Sequence, residues 1–456
     1  MHGNAPSLSD GRAETPPAPF RLFGDDGTAM HQFIAELYPI CRSITGDGVR
    51  QTLKLIRERI PITICEVPSG IQVFDWTVPP EWNIRDAYIK NSAGERVVDW
   101  RVCNLHIVSY SVPVHTRLSL SELKQHLHSD PERPDWIPYR TSYYNPTWGF
   151  CLKHSQLLAL PEDEYEVCID STLQPGHLTY GELRLIGRSS DEVLISCHVC
   201  HPSLCNDNLS GIAVATAIAE HLGDLDLNYT YRFLFIPGTI GSITWLALNQ
   251  AHLAKLKHGF VLTGVGDAGA PTYKLSRRGN ADIDKAWAYV FKQGGGPFEM
   301  QPFSPFGYDE RQYCSPGFDL PVGCFMRTPH GEYPEYHFSA DNLDFVHAPA
   351  LNESLSKALT AIDVLEHDGR YLNVKPFCEP KLGSYGLYKT TGGTSAGTYQ
   401  MALLWLLNMS DGKTSLLDIA TRSNLPWDTI KQALRALLDA GLLKQIDAPQ
   451  VEPSKS

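Results

Sequence analysis

The sequence predicts an α/β protein with a mixed central sheet between helix layers, an inserted β-rich domain and a C-terminal winged helix. Three observations carry this. Short apolar runs alternate with helix-like runs from about residue 176 to about 367, the pattern of strands handing over to helices. A stretch from about 72 to 171 breaks that alternation with short strand-like runs among dense prolines and aromatics. Beyond a Gly/Thr/Ser-rich stretch at 385–398, three helix-like segments precede one short strand.

Composition bounds the function. At 456 residues, two or three domains are expected, with enough chain to bury a large core. The formal net charge of -12 argues against nucleic acid as the main partner. Eleven cysteines, an odd number without a small-scaffold spacing, suggest reduced thiols and a cytoplasmic location. The first 19 residues are polar and Pro/Ala-rich and lack a signal-peptide pattern; a disordered tail is expected over 1–20. No apolar run approaches the length of a membrane span.

The elements follow in order. Residues 29–38 place Phe33, Ile34 and Leu37 on one helix face, and a second helix is expected over 49–56 after the turn Thr45-Gly46-Asp47-Gly48. Residues 62–67 read as the first strand. In the inserted stretch, Trp82, Trp100, Trp136, Tyr139, Tyr143, Tyr144 and Trp148 read mainly as core, with the lining of a substrate cleft as the alternative. His106, His115 and His154 read as core or surface residues rather than ligands. The runs 183–187 and 193–195 read as neighbouring strands.

The second of these runs leads into Ser196-Cys197-His198-Val199-Cys200-His201-Pro202-Ser203-Leu204-Cys205-Asn206-Asp207-Asn208-Leu209-Ser210-Gly211, and an Ala-rich helix follows at 212–222. Two histidines and an aspartate therefore sit where a strand hands over to a helix, the end of an α/β sheet where ligands bind. Imidazole and carboxylate suit a divalent metal of the zinc kind. Two other readings stay open at this point: a structural zinc on Cys197, Cys200 and Cys205, or a loop whose histidines are only hydrogen-bonded.

The stretch His198 with Asn206-Asp207-Asn208-Leu209-Ser210-Gly211 resembles the first half of the site in zinc aminopeptidases of the bacterial leucyl aminopeptidase type. Tyr336-His337-Phe338-Ser339-Ala340-Asp341 resembles that family's late Tyr-His motif, and Gly264-Val265-Gly266-Asp267 resembles the segment with its remaining Asp. Trp82-Asn83-Ile84-Arg85-Asp86-Ala87-Tyr88-Ile89, Asp309-Glu310-Arg311-Gln312-Tyr313-Cys314-Ser315-Pro316-Gly317 and Glu335-Tyr336-His337 resemble a branch with an embedded β-domain and a C-terminal winged helix. The resemblance spans about 20–445. It implies a three-layer α/β/α zinc-peptidase-like domain, one or two Zn2+ ions, and His198, Asp207, Asp267 and His337 as ligands. It favours His198 over His201, which precedes a proline and is read as a supporting residue.

One departure from the family stands out. The aminopeptidases carry a Glu-Glu pair at the end of the next strand, a general base and a zinc ligand, and the nearer branch resembles Pro-Glu-Thr-Ile-Gly-Ser there. This chain has Pro237-Gly238-Thr239-Ile240-Gly241-Ser242. Glycine moves no proton, and a positioned base contributes about a hundred- to ten-thousand-fold. Glu310 is the candidate replacement, with an internal Glu–Arg brace as the alternative. Arg311 suits a substrate carboxylate, and Tyr313 suits a developing oxyanion or simple packing. Asp341 and Glu335 flank His337, and Asp341 fits the role of orienting its ring.

The expected domains are 21–71 with 172–380 for the catalytic unit, 72–171 for the insert, 381–398 for a linker, 399–447 for the winged helix and 448–456 for a tail. In the winged helix, Lys413, Arg422, Lys431, Arg435 and Lys444 are balanced by Asp411, Asp418, Asp428, Asp439 and Asp447, so a contact module, dimerisation included, is favoured over DNA binding. The expected function is metal-dependent hydrolysis of an amide or peptide bond in a small peptide or amide-containing small molecule, without nucleic acid or membrane. The alternatives are zinc-dependent acyl transfer or cyclisation, for which the resembling glutaminyl cyclases are a precedent, and a non-catalytic binding protein on the same fold.

Overall fold

The computed structural model describes residues 26–387 and 394–446. The expected tails over 1–20 and 448–456, Asp447, and residues 388–393 of the expected linker lie outside the described residues.

An eight-stranded mixed sheet organises the chain. Across it run Thr63–Pro68, His177–Leu185, Thr230–Ile236, Glu192–His198, Leu256–Leu262, Val322–Met326, Thr272–Lys274 and Glu299–Gln301. The four strands Thr230–Ile236, Glu192–His198, Leu256–Leu262 and Val322–Met326 are parallel. They are almost wholly buried, as parallel strands covered on both faces must be. The expectation that 183–187 and 193–195 lie side by side is corrected. Thr230–Ile236 sits between their strands, antiparallel to one and parallel to the other. Strand order across a crossover is not written in local sequence.

Side-chain alternation divides the core. Val193, Ile195, Phe233 and Phe235 face one layer, with the helices Thr28–Leu37, Gly211–Leu222, Asp282–Gly294 and Ala348–His367. Leu194, Leu234 and Ile236 face the other, with the helix Ile240–Asn249 and the apolar interior of the insert. The helix Asp47–Arg57 shows why these segments are helical. It buries Val49, Thr52, Leu53 and Ile56 as one stripe, and puts Asp47 in its first turn and Lys54 and Arg57 in its last.

The insert is a four-stranded antiparallel sheet in the order Arg96–Asp99, Glu81–Lys90, Glu164–Gln174 and Val114–Ser119. Its long strand runs to Gln174, past the expected limit at 171, because Gln174 still pairs with Glu81. The C-terminal unit has a three-stranded sheet, with Arg370–Asn373 between Asp411–Ser415 and Leu443–Ile446, and the helices Thr394–Met409, Leu416–Ser423 and Trp427–Asp439. Its sheet therefore begins well before the expected start at 399. A four-residue strand directly after a 20-residue helix reads in sequence as the end of the preceding domain. Its partners lie some 40 and 70 residues further on.

Candidate metal centre

The carboxyl ends of the parallel strands converge on Asp207. His198 is the last residue of its strand and Asp207 lies in the turn before the helix Gly211–Leu222; both are 1 % exposed. His198 Nε2 lies 2.7 Å from Asp207 Oδ1. On the other oxygen, Oδ2, His337 Nε2 stands at 3.1 Å and His201 Nε2 at 3.8 Å. One carboxylate thus gathers three imidazoles from two segments far apart in sequence. The ligand atoms of His198, His201 and Asp207 all fall within 4.8 Å of one another.

The turn is built so that only Asp207 is free to reach inward. Asn206 Nδ2 donates to Asp267, and the Gly266 N–H donates to Asn206 Oδ1. Asn208 Nδ2 donates to the Leu262 carbonyl at 3.0 Å and lies 3.3 Å from His198 Nδ1, beside the second nitrogen of that ring. Ser210 Oγ closes the turn on the Asn206 carbonyl. Gly211 admits no side chain, since a Cβ there would lie 2.3 Å from Asn208 Oδ1. Asp341 clamps the same turn, accepting the N–H groups of Asn206 at 2.6 Å and Asp207 at 3.0 Å. It does not orient His337, as its sequence position had suggested. Burial, with Asp207 nearby, pushes the Asp341 carboxyl up to about 8.

Aromatic rings fix the imidazole planes. Tyr308 stacks on His198 with centroids 4.4 Å apart, Tyr336 stacks on His337 at 4.0 Å, and the two hydroxyls meet at 3.0 Å. Tyr139 comes from the insert, with its ring 5.2 Å from both His201 and His337. His337 has a left-handed backbone, φ 61°, a conformation non-glycine residues adopt only where surrounding contacts hold them.

The donor set fits a zinc-type cation. Burial holds the His201 imidazole down, to about 3, which leaves a ring lone pair available. Burial opposes ionisation of Asp207, but the surrounding imidazoles outweigh it and keep the carboxyl well below the usual range. The cysteine alternative does not fit. Burial pushes the Cys200 thiol up to about 12 and the Cys197 and Cys205 thiols well above the usual range, and no cysteine joins the ligand group among the described residues.

Four sequence expectations are corrected. Asp267 is not beside the imidazoles. Its Oδ1 accepts from Thr328 Oγ1 and the Gly269 N–H, both at 2.6 Å, and its Oδ2 accepts from Asn206 and the Thr328 N–H, so it buckles three loops together. Glu310 is wholly buried and paired with Lys274 at 2.8 Å, as a brace under the loop. Tyr313 is buried with its hydroxyl 3.0 Å from Ser196 Oγ, a packing role. Arg311 forms no ion pair with Glu310 among the described residues, and its Nε is buried without a partner. Sequence reading also passes over Asp309, which is 1 % exposed next to Gly238, and Tyr308, and it reads Tyr139 mainly as core, whereas both tyrosines line the centre. Asp309 and Glu310 are adjacent, and only the turn decides which of them faces the histidines.

Residues 31–368 match the family described as a domain of unknown function, DUF4910, and residues 369–445 match a winged helix-turn-helix family. The chain belongs to the DUF4910 family. A curated Clostridium acetobutylicum relative of this DUF4910 chain is 50 % identical over 423 residues, 92 % of this chain and 97 % of the relative. It is provisionally named a polysaccharide biosynthesis protein with an aminopeptidase-like domain. A crystal structure from the same organism, provisionally described as a peptidase, superposes with a TM-score of 0.88 at 49 % identity, over 92 % of this chain and 96 % of that one. The Bacillus subtilis zinc aminopeptidase structure matches at a TM-score of 0.54 and 13 % identity, over 74 % of this DUF4910 chain and 94 % of its own. That likeness concerns the fold alone. The DUF4910 chain thus has an aminopeptidase-like α/β fold followed by a winged helix, as its motifs implied.

Proposed function

We propose that this protein is a metal-dependent amide hydrolase of the aminopeptidase-like kind, with one or two zinc ions held by Asp207, His198, His337 and His201. The observation that carries the reading is Asp207, buried, its carboxyl held well below the usual range by the imidazoles around it, with one imidazole at one oxygen and two at the other. Zinc in such a site polarises a substrate carbonyl and makes water a better nucleophile. The chain's own residues do the remaining work. Asp207 and its flanking asparagines hold the imidazoles in register, and Tyr308 and Tyr336 fix the ring planes. Tyr139 and the insert wall the centre from one side.

The partner is a small peptide or an amide-bearing small molecule. The winged helix supports this, because its would-be recognition helix, Trp427–Asp439, lies against the catalytic domain. Lys431 Nζ bonds Asp363 at 2.6 Å, and Trp427 sits 5.9 Å from Tyr289. The N-terminal residues of such a helix would read bases, and here they are engaged. No helix among the described residues is long and apolar enough to cross a membrane.

The test is zinc per chain in wild type, His198→Ala and His337→Ala, followed by a hydrolysis screen. The screen covers aminoacyl amides, dipeptides and N-acyl amino sugars, the last because of the relative's name. Stoichiometric zinc that falls in both variants, with cleavage of one substrate class, is expected. Wild-type protein that takes up no zinc overturns the reading.

A further inference from the structure

Position 238 is where the family resemblance expects a carboxylate and this chain has none. A Cβ built on Gly238 would point between two groups, 3.2 Å from His198 Cβ and 3.5 and 3.8 Å from the two oxygens of Asp309. A side chain at 238 would therefore stand in contact with the Asp309 carboxylate. That carboxylate arrives from another element, the turn that opens the helix Glu310–Tyr313. It is buried, its Oδ1 accepts from Ser242 Oγ at 2.9 Å, and its Oδ2 has no hydrogen-bond partner. A buried carboxylate oxygen without a donor is costly unless something else comes to it. The neighbouring Glu310 also has a buried Oε2 without a partner, but its Oε1 is paired with Lys274, and the carboxylate nearest to position 238 is that of Asp309.

We propose that Asp309 is the proton-accepting residue of the centre and supplies from this turn the carboxylate that Gly238 lacks. The inference rests on the amide-hydrolase reading. In the step it serves, a water oxygen bonds to the amide carbon, and Asp309 Oδ2 takes one proton from that water. That proton passes to the amide nitrogen as the C–N bond breaks, and the second water proton goes from the new carboxyl group to the amine, which leaves a carboxylate product, an ammonium product and Asp309 ionised again. Ser242 holds the other oxygen, so the carboxylate meets the water with a fixed face.

Two sets of variants test this. Asp309→Asn keeps shape and zinc content and is expected to lower hydrolysis about a hundred- to ten-thousand-fold. Gly238→Glu sets a second carboxylate against the buried one of Asp309, so its Tm should fall by a few degrees, and Gly238→Glu with Asp309→Ala should recover it. The unfolding measurement is made on metal-free protein and needs no activity. Undiminished hydrolysis in Asp309→Asn overturns the catalytic role alone. Independent, additive Tm effects at 238 and 309 overturn the contact on which the proposal stands. Zinc-loaded wild type that hydrolyses none of the amides overturns the hydrolase reading, and the role of Asp309 falls with it.

Discussion

Tyr139 and His337 are joined main chain to main chain: the Tyr139 N–H donates to the His337 carbonyl at 2.8 Å, and the two rings meet edge to face at 5.2 Å. The Ser339 N–H returns a bond to the Ile137 carbonyl at 2.9 Å. The insert thus sets the backbone of His337, a candidate metal ligand about 200 positions away.

Tyr139 should accordingly matter to metal retention. Removing an outer support of a metal ligand typically costs about 10- to 100-fold in affinity. Tyr139→Ala is expected to weaken zinc binding toward the lower end of that range, measured by competition with a chromogenic chelator. Tyr139→Phe, which loses only the hydroxyl contact with Tyr143, should stay near wild type. Equal affinity in all three proteins would show that the insert does not support the centre.

Asp267 separates a buckle from a ligand. Asp267→Ala strands donors on Asn206, Thr328 and Gly269, and each stranded buried group costs about 1–3 kcal/mol. The expected result is a clear fall in Tm measured on metal-free protein, a loss that a ligand acting only through zinc would not cause. Unchanged metal-free stability with lost zinc would restore Asp267 to the ligand set.

Glu81 ties the insert to the catalytic domain. It accepts two bonds from the Arg50 fork and one each from Asn83 and the His177 N–H, and these hold its carboxyl down to about 2. A carboxyl depressed by folding stabilises above its unfolded value and loses that contribution as pH falls through the folded one. Glu81→Gln should therefore cost about 2 kcal/mol near neutral pH. The gap between variant and wild-type denaturation should close as pH drops from the ordinary glutamate range toward 2. A gap that does not change with pH would refute the charge-based account.

The docked helix Trp427–Asp439 predicts weak, non-specific behaviour toward DNA. Binding of duplex DNA by the full chain should be negligible at physiological salt and show no sequence preference. Lys431→Glu should lower stability, because it sets a like charge against Asp363. Tight, sequence-selective binding by wild type would mean that the helix leaves the catalytic domain.

Much of the centre was legible before any coordinates. His198, Asp207 and His337 fall together as the motifs implied, because a strand-end His and an Asp in a strand–helix turn are local patterns with one geometric outcome. His201 was set aside as a supporting residue, yet its ring closes on Asp207 with the others. Its proline neighbour restricts the backbone, and nothing in the local sequence says where the ring then points.

The sequence by itself determined the layered α/β fold, the winged helix and the heart of the candidate His/Asp group. These rest on short-range periodicity and on residues whose chemistry is set within one turn. Only the tertiary structure decided that Asp309 rather than Glu310 approaches the histidines, that Asp267 and Tyr313 are bound elsewhere, that Tyr139 closes over the centre, and that Thr230–Ile236 separates two consecutive strands. The physical reason is common to all four. Burial makes a polar group find a partner wherever the fold presents one. That partner is set by how loops far apart in the chain come together in space.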